Sequence, residues 1–133
     1  MVEPSGKKCV VMVVEDDEAI SDLFGMTLEQ EGYDVCVASD GQVGLDLINS
    51  RRPSAVLLDL MLPVIDGLTI IRRLLQDPET AKIPITVVSA YADAGDTKSI
   101  LRSSPNVTKV FTKPVRVADL LAQVKIMVAE FSA

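Results

Sequence analysis

Histidine and tryptophan are absent from this 133-residue chain. Without histidine there is no imidazole acid–base chemistry and no imidazole metal ligand, so any metal must be a hard cation held by oxygen. Cysteine is scarce. Cys9 and Cys36 stand in apolar runs without a CxxC spacing, which reads as buried, reduced thiols and suits a cytoplasmic protein. No long apolar stretch follows the polar start Met1-Val2-Glu3-Pro4-Ser5-Gly6-Lys7-Lys8, and no window reaches the length of a bilayer span, so neither secretion nor membrane insertion is expected. Basic runs longer than Lys7-Lys8, Arg51-Arg52 and Arg72-Arg73 are missing and the net charge is −6. A surface that tracks a phosphate backbone is therefore not expected, nor is direct nucleic-acid binding. What is present is a globular composition, 48% apolar and 24% charged. It predicts one domain over residues 9–133, after a mobile polar segment over residues 1–8.

Short runs rich in β-branched residues recur at Val10–Val14, Val35–Ala38, Ala55–Leu58, Ile85–Val88 and Val107–Thr112 and predict five strands. Between them apolar residues fall at helical spacing. Ile20, Leu23, Phe24 and Leu28 precede Gly32, a candidate C-terminal cap, and Val43, Leu47 and Ile48 form a second set. Leu68, Ile71, Leu74 and Leu75 precede Pro78. A weaker helix covers about Asp96 to Ser103, and the last carries Leu120, Leu121, Val124, Met127 and Val128. Alternating strands and helices, with strands apolar on both faces, predict a three-layer α/β sandwich: a doubly wound five-stranded parallel sheet with five helices. Such sheets place ligands at the carboxyl ends of strands.

Polar residues gather at those ends. The first strand stops at Glu15-Asp16-Asp17-Glu18, where the plain alternative is that Asp17 caps the next helix and its neighbours favour the helix dipole. The third strand ends at Asp59, an acid inside an apolar run that is costly to bury unless paired or coordinated. If these strands are neighbours, Glu15, Asp16 and Asp59 converge, and a hard divalent cation would relieve their repulsion. A purely structural carboxylate cluster is the competing reading. The fourth strand ends at Ser89-Ala90 and the fifth at Lys113-Pro114, a hydroxyl and an ammonium that could clamp a phosphate, although each alone has an ordinary explanation. Pro114 is a candidate for a cis peptide that aims the lysine inward. Pro63 and Gly67 shape the loop after Asp59, with Gly67 read as supplying backbone freedom or a simple turn.

These residues resemble the receiver domain of two-component response regulators from about Val10 to Phe131. Val13-Val14-Glu15-Asp16-Asp17 is similar to its acidic motif, and Leu57-Leu58-Asp59-Leu60-Met61-Leu62-Pro63 with Asp66-Gly67 to its phosphorylation motif. Ser89-Ala90 and Lys113-Pro114 complete the set. The resemblance implies a flavodoxin-like strand order 2-1-3-4-5 and a signalling phospho-acceptor rather than an enzyme acting on a separate substrate. Asp59 would take a phosphoryl group from a sensor histidine kinase or phosphotransfer protein. Asp16 and Asp59 would bind Mg2+, or a similar cation such as Mn2+, directly, with Glu15 through water and Met61 through its backbone carbonyl. Lys113 would neutralise phosphoryl charge and Ser89 would hydrogen-bond the new group, whose roughly −1.5 to −2 charge reshapes a surface read by a downstream effector. The chain would act as a monomer or a phosphorylation-dependent dimer, alone or as part of a longer regulator or hybrid kinase.

The departures concern readout and lifetime. Three residues before the lysine, where the family usually has Tyr or Phe, stands Val110, and Phe111 is expected to face the other side of the sheet. The stretch Ser103-Ser104-Pro105-Asn106-Val107 replaces an Ala-Gly-rich turn and is slightly long. Met61 and Tyr91 flank the expected path of hydrolytic water and orient it poorly, which predicts slow self-dephosphorylation. A haloacid-dehalogenase-like phosphatase would need an acid at position 61, and a pseudo-receiver would not need the acidic, serine and lysine positions together. A flavodoxin-like cofactor would be repelled by the acids after the first strand.

Overall fold

Each β-branched run pairs with another, and the pairs join into one parallel sheet. The computed structural model describes residues 9–132; the expected mobile segment over residues 1–8 lies outside them. The strands are β1 (Val10–Val14), β2 (Asp34–Ala38), β3 (Ala55–Leu58), β4 (Ile85–Ser89) and β5 (Val107–Thr112), in the order β2-β1-β3-β4-β5. The helices are α1 (Glu18–Gln30), α2 (Gly41–Arg51), α3 (Gly67–Leu75), α4 (Pro78–Ala81), α5 (Thr97–Arg102) and α6 (Val117–Ser132).

Side-chain alternation splits the core in two. Val11 and Val13 join Phe24 and Leu28 of α1 and Leu120, Val124, Met127 and Val128 of α6 on one face. Met12 and Val14 join Leu45 and Ile48 of α2, Ile70, Ile71 and Leu74 of α3 and Leu101 of α5 on the other. Burying both faces is what makes the inner strands β1, β3 and β4 nearly continuous apolar runs.

Six helices form where five were expected. The extra one is the single turn α4, started by Asp77, whose side chain accepts from the Glu79 N–H at 2.9 Å, with Pro78 at its first position. Proline suits that first turn because its missing N–H has no helical partner there. The α2 face also differs from the reading. Val43 is exposed, and Gly41, Gly44, Leu45 and Ile48 are the buried positions. A Cβ on Gly44 would lie 2.8 Å from Val14 Cγ1, so α2 sits too close to the sheet for a larger residue. Gly32 follows the end of α1 at φ 92°, as expected of a left-handed cap. Cys9 is fully buried, whereas Cys36 in edge strand β2 is only half-buried.

The segment before β5 is tied down. Ser104 Oγ donates to the Ile100 carbonyl at 2.8 Å, and Asn106 Nδ2 donates to the Ile71 carbonyl at 3.3 Å. A register shift follows it in β5: Ile85 pairs with Val107 but Thr86 with Lys109.

Candidate functional site

Strand order reverses at β1, which has β2 on one side and β3 on the other. Crossovers leave that point in opposite directions, so the carboxyl ends of β1 and β3 open into a crevice. The ladder continues one residue past each strand: Glu15 N–H donates to Ala38 O and Asp59 N–H to Val14 O, both at 3.0 Å, and Lys113 N–H donates to Ser89 O at 3.1 Å. Backbone pairing thus aims Glu15, Asp59 and Lys113 at one another.

The Lys113 ammonium donates to Glu15 Oε1 at 2.5 Å and to Asp59 Oδ2 at 2.9 Å. Asp59 Oδ1 accepts from the Met61 N–H, and Glu15 Oε2 from the Asp17 N–H, each at 3.2 Å. Both carboxylates are almost wholly buried. The Lys113–Pro114 peptide is cis, as anticipated. Of the four acids after β1, Glu15 and Asp16 belong to the site. Asp17 does what the plain reading proposed: its side chain accepts from the Ile20 N–H at 3.2 Å and caps α1.

Burial favours neutral Glu15 more than Lys113 and the Asp17 N–H favour its charge, with the Asp59 charge adding to the rise, and its pKa stands at about 7. Burial also acts to raise the pKa of Asp59. There it is outweighed by hydrogen bonds from Lys113 and the Met61 N–H, which hold that carboxyl below its ordinary value. The ammonium pKa is lowered by burial, but its two carboxylate partners raise it further, so Lys113 stays charged.

Carboxylate oxygens of Glu15, Asp16 and Asp59 lie within 4.8 Å of one another, two residues buried and one exposed. Three hard oxygen donors stand against a single ammonium, which leaves the cluster short of positive charge. The residues therefore fit a small divalent cation. Glu15, Asp16, Asp59, Met61, Tyr91 and Lys113 all line a cleft of about 370 Å³. Ser89 does not line it: its side chain is fully buried behind the wall, and its Oγ accepts from the Tyr91 N–H at 3.2 Å.

Gly67 has a different role from the one read in the sequence. Its N–H donates to the Leu60 carbonyl at 2.9 Å, and a Cβ there would lie 2.6 Å from Asp59 O and 2.7 Å from Leu60 Cα. Close approach, not a positive φ, excludes side chains at this position. The positive φ belongs to Val64, at 72°, where Ile65 N–H reaches back to Pro63 O at 2.9 Å to close a three-residue turn. A β-branched residue is the last type expected there, so no composition signal could have found it.

A family model for the response regulator receiver domain matches residues 11–125. The chain belongs to that family. The receiver domain is 39% identical over 115 residues to the DNA-binding dual master transcriptional regulator RpaA of a Synechocystis strain, covering 86% of this chain and 47% of the relative. It thus spans about half the length of the curated relatives it matches. A CheY-like receiver domain protein from Methanospirillum hungatei has the same fold at a TM-score of 0.86, with 26% identity over 94% of this chain and 97% of that one. The receiver domain of sensor histidine kinase PA1611 from Pseudomonas aeruginosa, solved with a magnesium ion coordinated in its active site cleft, gives a TM-score of 0.81 over 92% of this chain and 98% of its own. At 24% identity that is a likeness of fold alone. Receiver domains interact with histidine kinases or phosphotransfer proteins and bind Mg2+ at an acidic site. Among the described residues, no helix is long and apolar enough to cross a membrane.

Proposed function

We propose that Asp59 is the phospho-acceptor of this receiver domain. The observation that carries the reading is the Lys113 ammonium held between Glu15 and Asp59, because phosphoryl transfer demands positioning and charge neutralisation above all. A phosphohistidine on a kinase or phosphotransfer protein is the donor. Its P–N bond breaks as an Asp59 carboxylate oxygen bonds to phosphorus, and the imidazole leaves. The Met61 N–H and Lys113 fix the carboxylate for that attack.

Asp16, Asp59 and the Met61 carbonyl are the groups that hold Mg2+ or a similar cation such as Mn2+, with Glu15 acting through water. When bound, the cation supplies charge neutralisation at phosphoryl oxygens. Lys113 would supply the same through its ammonium, which lies beside Asp59. Ser89 hydrogen-bonds the phosphoryl group only after leaving its contact with the Tyr91 N–H, so its movement carries the loop after β4. The excess of acids supports contacts with proteins rather than with nucleic acid by this chain.

Incubation with Mg2+ and acetyl phosphate tests the assignment. The expected result is a mass gain of one phosphoryl group that Asp59→Ala abolishes. No gain in the native chain, or the same gain in the variant, removes Asp59 from this role.

A further inference from the structure

β2 and β5 are the two edges of the sheet, and they differ in how open they are. β5 carries Lys109 and a register shift, two features that discourage a further strand. β2 has neither lysine nor proline, and its five residues pair with β1 without a break in register. The Asp34 N–H donates to Cys9 O, and Ala38 O accepts from the Glu15 N–H. Backbone direction alternates along a strand, so Asp34, Cys36 and Ala38 face β1. The N–H and C=O groups of Val35 and Val37 therefore point out from the edge. Among the described residues no strand pairs with them.

The flanks of this edge are apolar. Val37 is 47% exposed, and a Cβ on Gly25 of α1 would lie 3.9 Å from both Val35 and Val37. On the other face Cys36 and Leu47 pack at the margin of the core. Val43, Leu47 and Arg51 recur every four residues on α2, so that stripe runs beside the strand. Arg51 Nη2 marks its end, 3.2 Å from Asp34 Oδ2, and this ion pair neutralises the single charge in β2. The other end of α2 begins at Asp40, which caps the helix.

We propose that β2 pairs antiparallel with β2 of a second copy of this chain, about a two-fold axis at Cys36, joining two five-stranded sheets into one. Val35 of each copy stands opposite Val37 of the other, and their outward N–H and C=O groups bond to each other. Cys36 meets its own counterpart at a position without backbone bonds, where Cα atoms stand about 4.5 Å apart. The two α2 helices run antiparallel, so Arg51 of each comes alongside the Asp40 end of the other. Self-complementarity about Cys36 favours a second copy over an unrelated peptide. Slipping the pair by one residue sets an outward group opposite an inward one, and slipping by two leaves strand ends unpaired. The pairing needs no phosphoryl group, so it stands whether or not Asp59 accepts one.

Sedimentation velocity of reduced protein from about 10 µM to about 1 mM is expected to show a monomer–dimer equilibrium, weakened about tenfold by Val37→Lys. Hydrogen exchange on the native chain needs no variant and reads the register. The Val35 and Val37 amides gain protection as concentration rises, whereas the Cys36 amide, which faces β1, changes little. Diamide, which takes two electrons and two protons from a pair of thiols, is expected to join Cys36 to Cys36 of the second copy, and Cys36→Ser abolishes the covalent dimer. A monomer at every concentration, a dimer indifferent to Val37→Lys, a dimer that diamide does not cross-link, or protection gained at β5 amides instead would overturn the proposal.

Discussion

Lys113 Nζ lies 2.9 Å from Asp59 Oδ2 although 54 residues separate the two in the chain. The same ammonium holds Glu15, so one cation compensates two buried carboxylates at the ends of β1 and β3. Removing any one of the three changes the electrostatics of the other two.

Lys113→Met leaves Glu15 and Asp59 facing each other without a cation. The expected loss is about 2–3 kcal/mol, below the roughly 3–5 kcal/mol of a fully buried pair because solvent reaches the ammonium. Urea unfolding measures it. Saturating Mg2+ is expected to restore more stability to this variant than to the native chain, since the metal replaces the missing charge.

Glu15 titrates near 7 in the folded state against an ordinary 4.5. Its pKa is raised by folding, so the folded chain holds a proton that the unfolded chain has released between those values. This group's contribution to stability is full below pH 4.5 and is lost as pH rises through about 7. Asp59 carries the opposite sign: held below its ordinary 3.8, it contributes above that value and loses its contribution as pH falls through its folded pKa. Carboxyl-carbon NMR titration of metal-free protein is expected to show the Glu15 midpoint near 7. Mg2+ binding, which competes with that proton, is then weaker at slightly acidic than at slightly alkaline pH, and Glu15→Gln flattens the dependence.

Gly67→Ala forces a Cβ against Asp59 O and Leu60 Cα, both backbone atoms with little room to move. Destabilisation of about 1–3 kcal/mol is expected in thermal or denaturant unfolding. A slower rate of labelling by acetyl phosphate should accompany it, because the displaced carbonyl follows the acceptor side chain directly.

Val64→Gly removes a β-branched side chain from φ 72°. Relief of roughly 1–3 kcal/mol of strain, less about 0.5–1 kcal/mol for the added freedom of the unfolded chain, predicts a net gain of about 1 kcal/mol. Chemical denaturation gives the answer directly. Val64 is 77% exposed, so lost packing should contribute little.

Met61 and Tyr91 are both more than half exposed and stand at the cleft. Both are bulky and poor at orienting water. Met61→Asn combined with Tyr91→Ala is expected to speed decay of the phosphorylated protein on the order of tenfold, about 1.4 kcal/mol of barrier. Following the loss of the mass gain over time measures the change.

The alternation of apolar runs and helical spacings was enough to read the parallel sheet, because both periods report burial on two faces. The acids at the ends of β1 and β3 and the lysine at the end of β5 were likewise legible, since charge at the end of a buried strand is chemically exceptional. Short-range signals also located Asp17 as a cap and Gly32 as a helix stop. What they missed involved backbone approach. Gly44 and Gly67 are small because other chain segments pass within contact distance, which no pattern of neighbours in sequence encodes. Val43 was placed on the wrong face of α2 for the same reason: Gly44 lies against Val14 of β1, and Leu45 and Ile48 share the buried face with it.

By itself, then, the sequence determined the strand and helix order and the chemical types brought to the strand ends, because those follow from local periodicity and the cost of burying charge. Only the tertiary structure decided that Lys113 bridges Glu15 and Asp59, that Ser89 waits behind the cleft wall, and that Val35 and Val37 turn their backbone groups out from the edge of β2. Distances between residues far apart in the chain come from how layers pack. That is a property of all the side chains together.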